Sequence, residues 1–260
     1  MKRKHSYLVH LQYLGFRYSG WQKQPGQRTI ESMLHKTLKF IAPDKKFKIV
    51  GAGRTDAKVS ALMGGMQLFT EYGPIEDIPK FIELFNENLP PDIKILSIEE
   101  VDPNFAIIQH KKSKEYCYFF SFGDKSHPFS APFMANIQSD LNIEQMKEAA
   151  ALFCGTHNFQ SYTARRQPNT KVIRTITFCE IAVNTILQAN FFPENTYVLT
   201  VRGEGFMRYQ IRMIMGALIL LGKGEITLQT IKGSLGDKET VLIPYVAPGS
   251  GLLLNKIEFK

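Results

Sequence analysis

Three short stretches of this 260-residue chain set reactive side chains at fixed spacings. The first is Gly51-Ala-Gly-Arg-Thr-Asp-Ala-Lys-Val-Ser-Ala61, in which Arg54 and Asp56 flank Thr55. A guanidinium beside a carboxylate keeps it ionised, and an ionised, positioned carboxylate can act as nucleophile or general base. By chemistry alone the structural use of such a pair is the commoner one, an Asx-type turn with a local ion pair. The second stretch is residues 115–122, where Tyr116, Tyr118, Phe120 and Phe122 alternate. A strand tyrosine either packs on a core or offers its ring to a nucleobase and its hydroxyl to a hydrogen bond. The third is residues 203–216, with Arg208 and Arg212 four apart on one face of a predicted helix. A solvated basic stripe is the ordinary reading of such a pair. This helix is otherwise strongly apolar, however, so a charge on it needs a partner.

The elements that must position these groups follow from hydrophobic period. Residues 47–50 and 64–69 alternate as strands on either side of Asp56, so its segment is an inter-strand loop that Gly51 and Gly53 free to turn. Residues 6–13 alternate as a first strand and lead into Arg17-Tyr-Ser-Gly-Trp-Gln22, which holds the only tryptophan. Thr29 is predicted to cap a helix whose apolar positions are Ile30, Met33, Leu34, Leu38 and Ile41, with Pro43 as its stop. Pro79 opens a second helix, to about Asn88, with Phe81, Ile82, Leu84 and Phe85 as its apolar residues, and a strand follows at 93–101. The order is β-α-β-β-α-β.

After a charged crossing at Lys111-Lys-Ser-Lys114, the second half repeats that order. A strand at 115–122 precedes a helix that starts at Asn142 and Gln145 in capping-box fashion and reaches Gly155. Strands at 171–184 and 196–202, a helical stretch at 207–221, a shorter helix after Thr227 and a strand at 252–259 complete it. The expectation is an α+β chain of two ferredoxin-like units with mainly antiparallel sheets. Residues 1–108 would carry the Asp56 loop and 109–260 the tyrosine strand and arginine helix, with a catalytic cleft between them.

Composition narrows the partners. Apolar content of 44% and charged content of 22% are those of a soluble globular protein. A net charge of +8 favours a polyanionic partner, with Arg17, Lys58, Arg165, Arg166 and Arg208 as candidate phosphate contacts. Cys117, Cys154 and Cys179 are odd in number and lack C-x-x-C spacing, which argues against zinc and disulfides and for a reducing compartment. The basic start, Met1-Lys-Arg-Lys-His5, is not followed by an apolar signal segment, and the longest apolar run, 213–221, is about half a membrane span. The expected location is cytoplasmic, without membrane contact. No metal-ligand cluster or phosphate-binding lysine loop occurs in the sequence.

The seven residues Gly51-Ala-Gly-Arg-Thr-Asp-Ala57 closely resemble the signature of the tRNA pseudouridine synthase A family, in which the Asp is catalytic. Further similarities run along nearly the whole chain. They include Tyr18-Ser-Gly-Trp-Gln22, Asn86-Glu-Asn-Leu-Pro90, the Tyr116-Cys-Tyr118 strand, Gly155-Thr-His-Asn-Phe159, Gly203 to Arg212, and Ala247-Pro-Gly-Ser-Gly-Leu252. The chain departs from the pattern at Lys58 and Ser60, where Gly and His are usual, at Ile108 in place of Arg, and at Leu253 in place of Tyr. These are plausible RNA-contact positions, so they bear on the choice of target uridine.

The resemblance implies isomerisation of uridine to pseudouridine in the anticodon stem-loop of tRNA, at positions 38 to 40, without metal or cofactor. It implies Asp56 as catalyst and Tyr116 as the group stacking on a flipped base. Arg54 and Arg212 would hold Asp56 and the backbone phosphate, with Arg208 and Lys58 as further substrate contacts. It also implies a homodimer with one tRNA across both subunits. Other readings are a synthase for another tRNA position or RNA, a catalytically silent RNA-binding module on the same scaffold, and a glycosidic-bond hydrolase. The hydrolase would want a second carboxylate at a defined separation. His157 reads as a loop histidine without a catalytic role.

Overall fold

The alternation in residues 6–13 becomes β1 (His5–Tyr13), whose Val9 and Leu11 are fully buried and around which the first unit is laid. The computed structural model describes residues 5–102, 104–164, 170–236 and 240–259. The chain divides into two units, Met1–Lys112 with Leu254–Lys260, and Ser113–Leu253.

In the first unit β1 is followed by α1 (Ile30–Ile41), β2 (Phe47–Gly51), β3 (Ser60–Thr70), α2 (Ile78–Asn88) and β4 (Ile93–Glu100), the predicted order. β1 runs antiparallel between β3 and β4, and β2 pairs antiparallel with β3. α1 starts where Thr29 and Ser32 close a reciprocal capping box, and it buries Ile30, Leu34 and Leu38. Asp77 caps α2 by accepting the Lys80 N–H, with Pro79 in the first turn. Of its predicted apolar face only Phe85 is fully buried, while Leu84 stays exposed. β3 starts at Ser60 rather than Gly64, because Tyr13 pairs with Ala61 and carries the ladder back toward the loop.

The second unit contains β5 (Lys111–Phe122), β6 (Ala135–Ile137), α3 (Ile143–Ala151), β7 (Gly155–Asn158), β8 (Ile173–Val183), β9 (Thr196–Gly203), α4 (Gln210–Gly222) and α5 (Leu228–Ser234). Its antiparallel order is β5-β9-β8-β7, with the short β6 added parallel to β5. The charged crossing at 111–114 is part of β5, since Lys114 pairs with Gly203 in the ladder. α3 stops at Ala151, earlier than Gly155. That glycine sits at φ +110° and opens β7, a strand too short to leave a periodic signal. Cys117, Tyr118, Phe119 and Phe120 are all fully buried, so β5 is covered on both faces rather than one. The last strand, β10 (Leu252–Phe259), pairs with β3. No helix among the described residues is long and apolar enough to cross a membrane.

Candidate active site

The Asp56 loop has no ladder of its own, and its main chain is satisfied by the segment that follows β1. The Trp21 N–H donates to the Thr55 carbonyl at 3.1 Å, and the Lys58 N–H to the Tyr18 carbonyl at 3.0 Å. Asp56 lies between these two fixed points. Side chains add to the grip. The Tyr13 and Thr55 hydroxyls are 3.0 Å apart, and Ser60 Oγ accepts the Gly15 N–H at 2.9 Å. The approach is too close for a side chain on the holding segment. A Cβ on Gly15 would fall 1.9 Å from the Val59 carbonyl oxygen, and Gly20, at φ +98°, would place one 2.7 Å from the Thr55 oxygen. The buried Trp21 indole lies directly against Gly51 at the loop's entry. Asp56 ends half-buried, while Arg54 and Lys58 are exposed. Lys58 adopts a left-handed conformation, φ +66°, which costs a residue with a β-carbon about 1–2 kcal/mol. Its ammonium stands 5.4 Å from the centroid of the Phe16 ring.

The holding segment is itself tied to Asp92. Tyr18 donates its hydroxyl to Asp92 Oδ1 at 2.6 Å, and Arg17 donates Nε and Nη2 to Oδ2 at 3.0 and 2.7 Å. The Leu14 N–H reaches the Asp92 carbonyl at 2.9 Å. Burial pushes the Asp92 carboxyl up, but hydrogen bonds from Tyr18 and Arg17 outweigh it and hold the group below the ordinary carboxylate value. Burial and the bond to Asp92 push the Tyr18 phenol to about 12. Arg17, expected to meet phosphate, pairs with Asp92 while its side chain stays largely exposed.

In the second unit the Tyr116 ring is buried, in edge-on contact with Phe206 at 5.5 Å between centroids. Tyr118 points into the core, and its hydroxyl donates to the Pro248 carbonyl at 2.9 Å. Burial drives its pKa well above 10. The predicted helix at 207–221 begins only at Gln210, because Tyr209 takes a left-handed conformation, φ +64°, and breaks it. The turn is closed by the Gln210 side chain, whose oxygen accepts the Met207 N–H at 2.8 Å. Arg208 therefore lies ahead of α4, exposed, and does not share a helix face with Arg212. The two arginines meet differently, each guanidinium carbon standing about one ring-stacking distance from Tyr209, 5.1 Å for Arg208 and 5.0 Å for Arg212. Arg212 is half-buried and exchanges bonds with Ala247. Its Nε donates to the Ala247 carbonyl at 2.7 Å, and the Ala247 N–H donates to the Arg212 carbonyl at 3.1 Å.

Two of the four departures from the family pattern now have structural explanations. Ser60 is buried and serves as the acceptor for Gly15, and Leu253 is buried in the core, so neither is placed to touch RNA. Lys58 and Ile108 are exposed. Arg165 and Arg166 lie outside the described residues. His157, expected in a loop, stands on β7 opposite Arg174, and its Nε2 donates to the Cys154 carbonyl at 2.8 Å. Sequence reasoning missed Phe206 against Tyr116 and Asp92 behind the holding segment. Phe206 lay inside a recognised stretch, but nothing local marked Asp92.

A family model described as tRNA pseudouridine synthase matches residues 10–108 and 149–260. The chain belongs to the tRNA pseudouridine synthase family, a family of RNA-modifying isomerases. Among similar curated proteins is tRNA pseudouridine synthase A of Shouchella clausii, 30% identical over 96% of this chain and 91% of that protein. Another is tRNA pseudouridine synthase A of Dictyoglomus thermophilum, 31% identical over 96% of this chain and 98% of the relative. The tRNA pseudouridine synthase A 2 of Bacillus cereus is 30% identical over 98% of this chain and all of its own length.

Proposed function

We propose that this protein isomerises uridine to pseudouridine in the anticodon stem-loop of tRNA, at positions 38 to 40, with Asp56 as the catalytic carboxylate and without a cofactor. The observation that carries the reading is the Asp56 loop, pinned on both sides of the carboxylate by main-chain bonds at Thr55 and Lys58. A catalytic group must be held close to its working geometry, and this anchoring meets that demand. The reaction detaches uracil from ribose, turns the base and rejoins it through C5, with no net redox change. The base has to leave its stack, which costs a few kcal/mol and less in an unpaired loop.

The reading gives Tyr116 the role of stacking on the extruded base, with Phe206 bracing its ring edge-on. Arg54, Lys58, Arg208 and Arg212 supply positive charge to the RNA backbone around the reacting nucleotide. The protein works as a cytoplasmic homodimer in this reading. The test is tritium release from C5-labelled uridine in whole tRNA, followed by mapping of the modified position. Wild-type protein is expected to release tritium, and Asp56→Asn to release none while binding tRNA within about tenfold of wild type. Turnover by Asp56→Asn, with deamidation excluded, overturns the assignment of the catalyst. Modification outside positions 38 to 40 overturns the target and leaves the chemistry standing.

A further inference from the structure

We propose that Asp92 and Tyr18 form a positioning brace that sets the geometry of the Asp56 loop from a distance. The inference rests on Asp56 being the catalytic residue. Residue 92 grips the segment after β1 at both ends, through its carbonyl to Leu14 and through its carboxylate to Arg17 and Tyr18. The same short segment then fixes the far limb of the loop, since the Tyr18 carbonyl accepts the Lys58 N–H and the Gly15 N–H donates to Ser60. Tyr18 is the hinge of this arrangement. Its hydroxyl is held by a carboxylate, and its carbonyl holds the residue two positions after Asp56.

The Lys58 conformation makes the brace necessary rather than incidental. A lysine left to itself leaves the left-handed region, so its φ of +66° persists only while neighbouring bonds enforce it. The Lys58 N–H bond to Tyr18 reaches outside the loop and acts on Lys58 itself. Releasing Tyr18 lets Lys58 relax toward an ordinary conformation and rotates the peptide that follows Ala57. The Asp56 carboxylate then loses its set position although no group near it has been altered. Arg28 flanks the Tyr18 ring at 5.0 Å and donates to its hydroxyl at 3.3 Å, which keeps that oxygen oriented toward Asp92.

The single tryptophan supplies a readout that does not depend on catalysis. Trp21 donates its main-chain N–H to the Thr55 carbonyl and packs its indole on Gly51, so its emission and its access to a neutral quencher report the state of the loop. The experiment measures kcat and KM for whole tRNA, acrylamide quenching of Trp21 and Tm in Tyr18→Phe, Asp92→Asn and the double variant, beside Asp56→Asn. Tyr18→Phe and Asp92→Asn are each expected to lower kcat about ten- to a hundredfold, to leave KM within about threefold and to raise quenching. The double variant should be no slower than the slower single one, because both changes break one connection. A merely structural network would lower Tm while leaving kcat and quenching at wild-type values below the transition, and that result overturns the brace. Independent, multiplying losses in the double variant overturn it as well. If Asp56→Asn stays active the catalytic assignment fails separately, and raised quenching in the other variants still establishes the brace on the loop.

Discussion

In the first unit, residues 14–21 grip the main chain of the Asp56 loop. In the second, residues 247 and 248 accept hydrogen bonds from side chains of α4 and β5. The difference follows from what each site is built on. A loop has unpaired peptide groups, so fixing it means giving those groups partners, and the partner backbone must come close. Hence the holding segment carries glycine at 15 and 20, where any side chain would strike the loop's carbonyls. Tyr118 and Arg212 stand on a strand and a helix with hydrogen-bond ladders of their own, so the 247–248 segment holds chiefly their side chains, with one main-chain bond from the Ala247 N–H to the Arg212 carbonyl. The first site is therefore vulnerable to added atoms on the segment that holds it. The second is vulnerable to lost donors on the site residues themselves.

The largest expected effect that would test this contrast is at Arg212. Arg212→Lys keeps a charge but loses the Nε–H that meets Ala247, and kcat should fall by roughly one to three orders of magnitude with tRNA binding retained. Arg212→Met should be worse in kcat. It should also lower Tm by about 3–10 °C, because the buried Ala247 carbonyl loses its donor. A solvated surface arginine would leave both variants near wild type in turnover, and such a result removes Arg212 from the site.

Gly15→Ala comes next. Its methyl would overlap the Val59 carbonyl, so the loop must shift, and kcat should fall about ten- to a hundredfold with roughly 1–3 kcal/mol of stability lost. Steady-state kinetics together with chemical denaturation check this, and an unchanged kcat would mean that the loop can move without consequence. Tyr118→Phe probes the other region more gently. It removes the hydroxyl bonded to Pro248 and should cost about 1–3 kcal/mol, with kcat within about threefold, since that hydroxyl is bound internally. A much larger kcat loss would show that the 247–248 segment carries catalytic geometry as strictly as residues 14–21 do.

The smallest effect is at Lys58. Lys58→Gly relieves a left-handed residue, and part of that gain is lost to the greater freedom of glycine in the unfolded chain, so Tm should rise by about 1–3 °C. If the exposed ammonium meets phosphate, the slope of log affinity against log salt should fall by roughly 0.7–0.9 in the same variant. A raised Tm with an unchanged slope would reduce Lys58 to a strained bystander.

Much of this molecule can be read without coordinates. The period of two gives β1, β2, β4 and β9 nearly to the residue, and the period of 3.6 with Thr29 as a cap and Pro79 as an opener gives α1 and α2. Each depends on residues within a turn or two of one another, and local sequence determines such features directly. The run from Gly51 to Ala57 likewise points to the family that the match over residues 10–108 and 149–260 shows.

Where sequence reading went astray, a contact that no periodicity marks had decided the outcome. Residues 207–209 have helical composition, yet Tyr209 turns left-handed and moves Arg208 off α4, with both arginines gathered on its ring. Arg17 carries no local sign of its pairing with Asp92, far away in the chain, which only folding brings about. Ser60 looked like an RNA contact until Gly15 took its oxygen. Side-chain type and spacing determine what a residue can do and which local element it joins. Which donor meets which acceptor across many tens of residues is settled only when the packed backbone brings them within about 3 Å, since a hydrogen bond has no strength at longer reach.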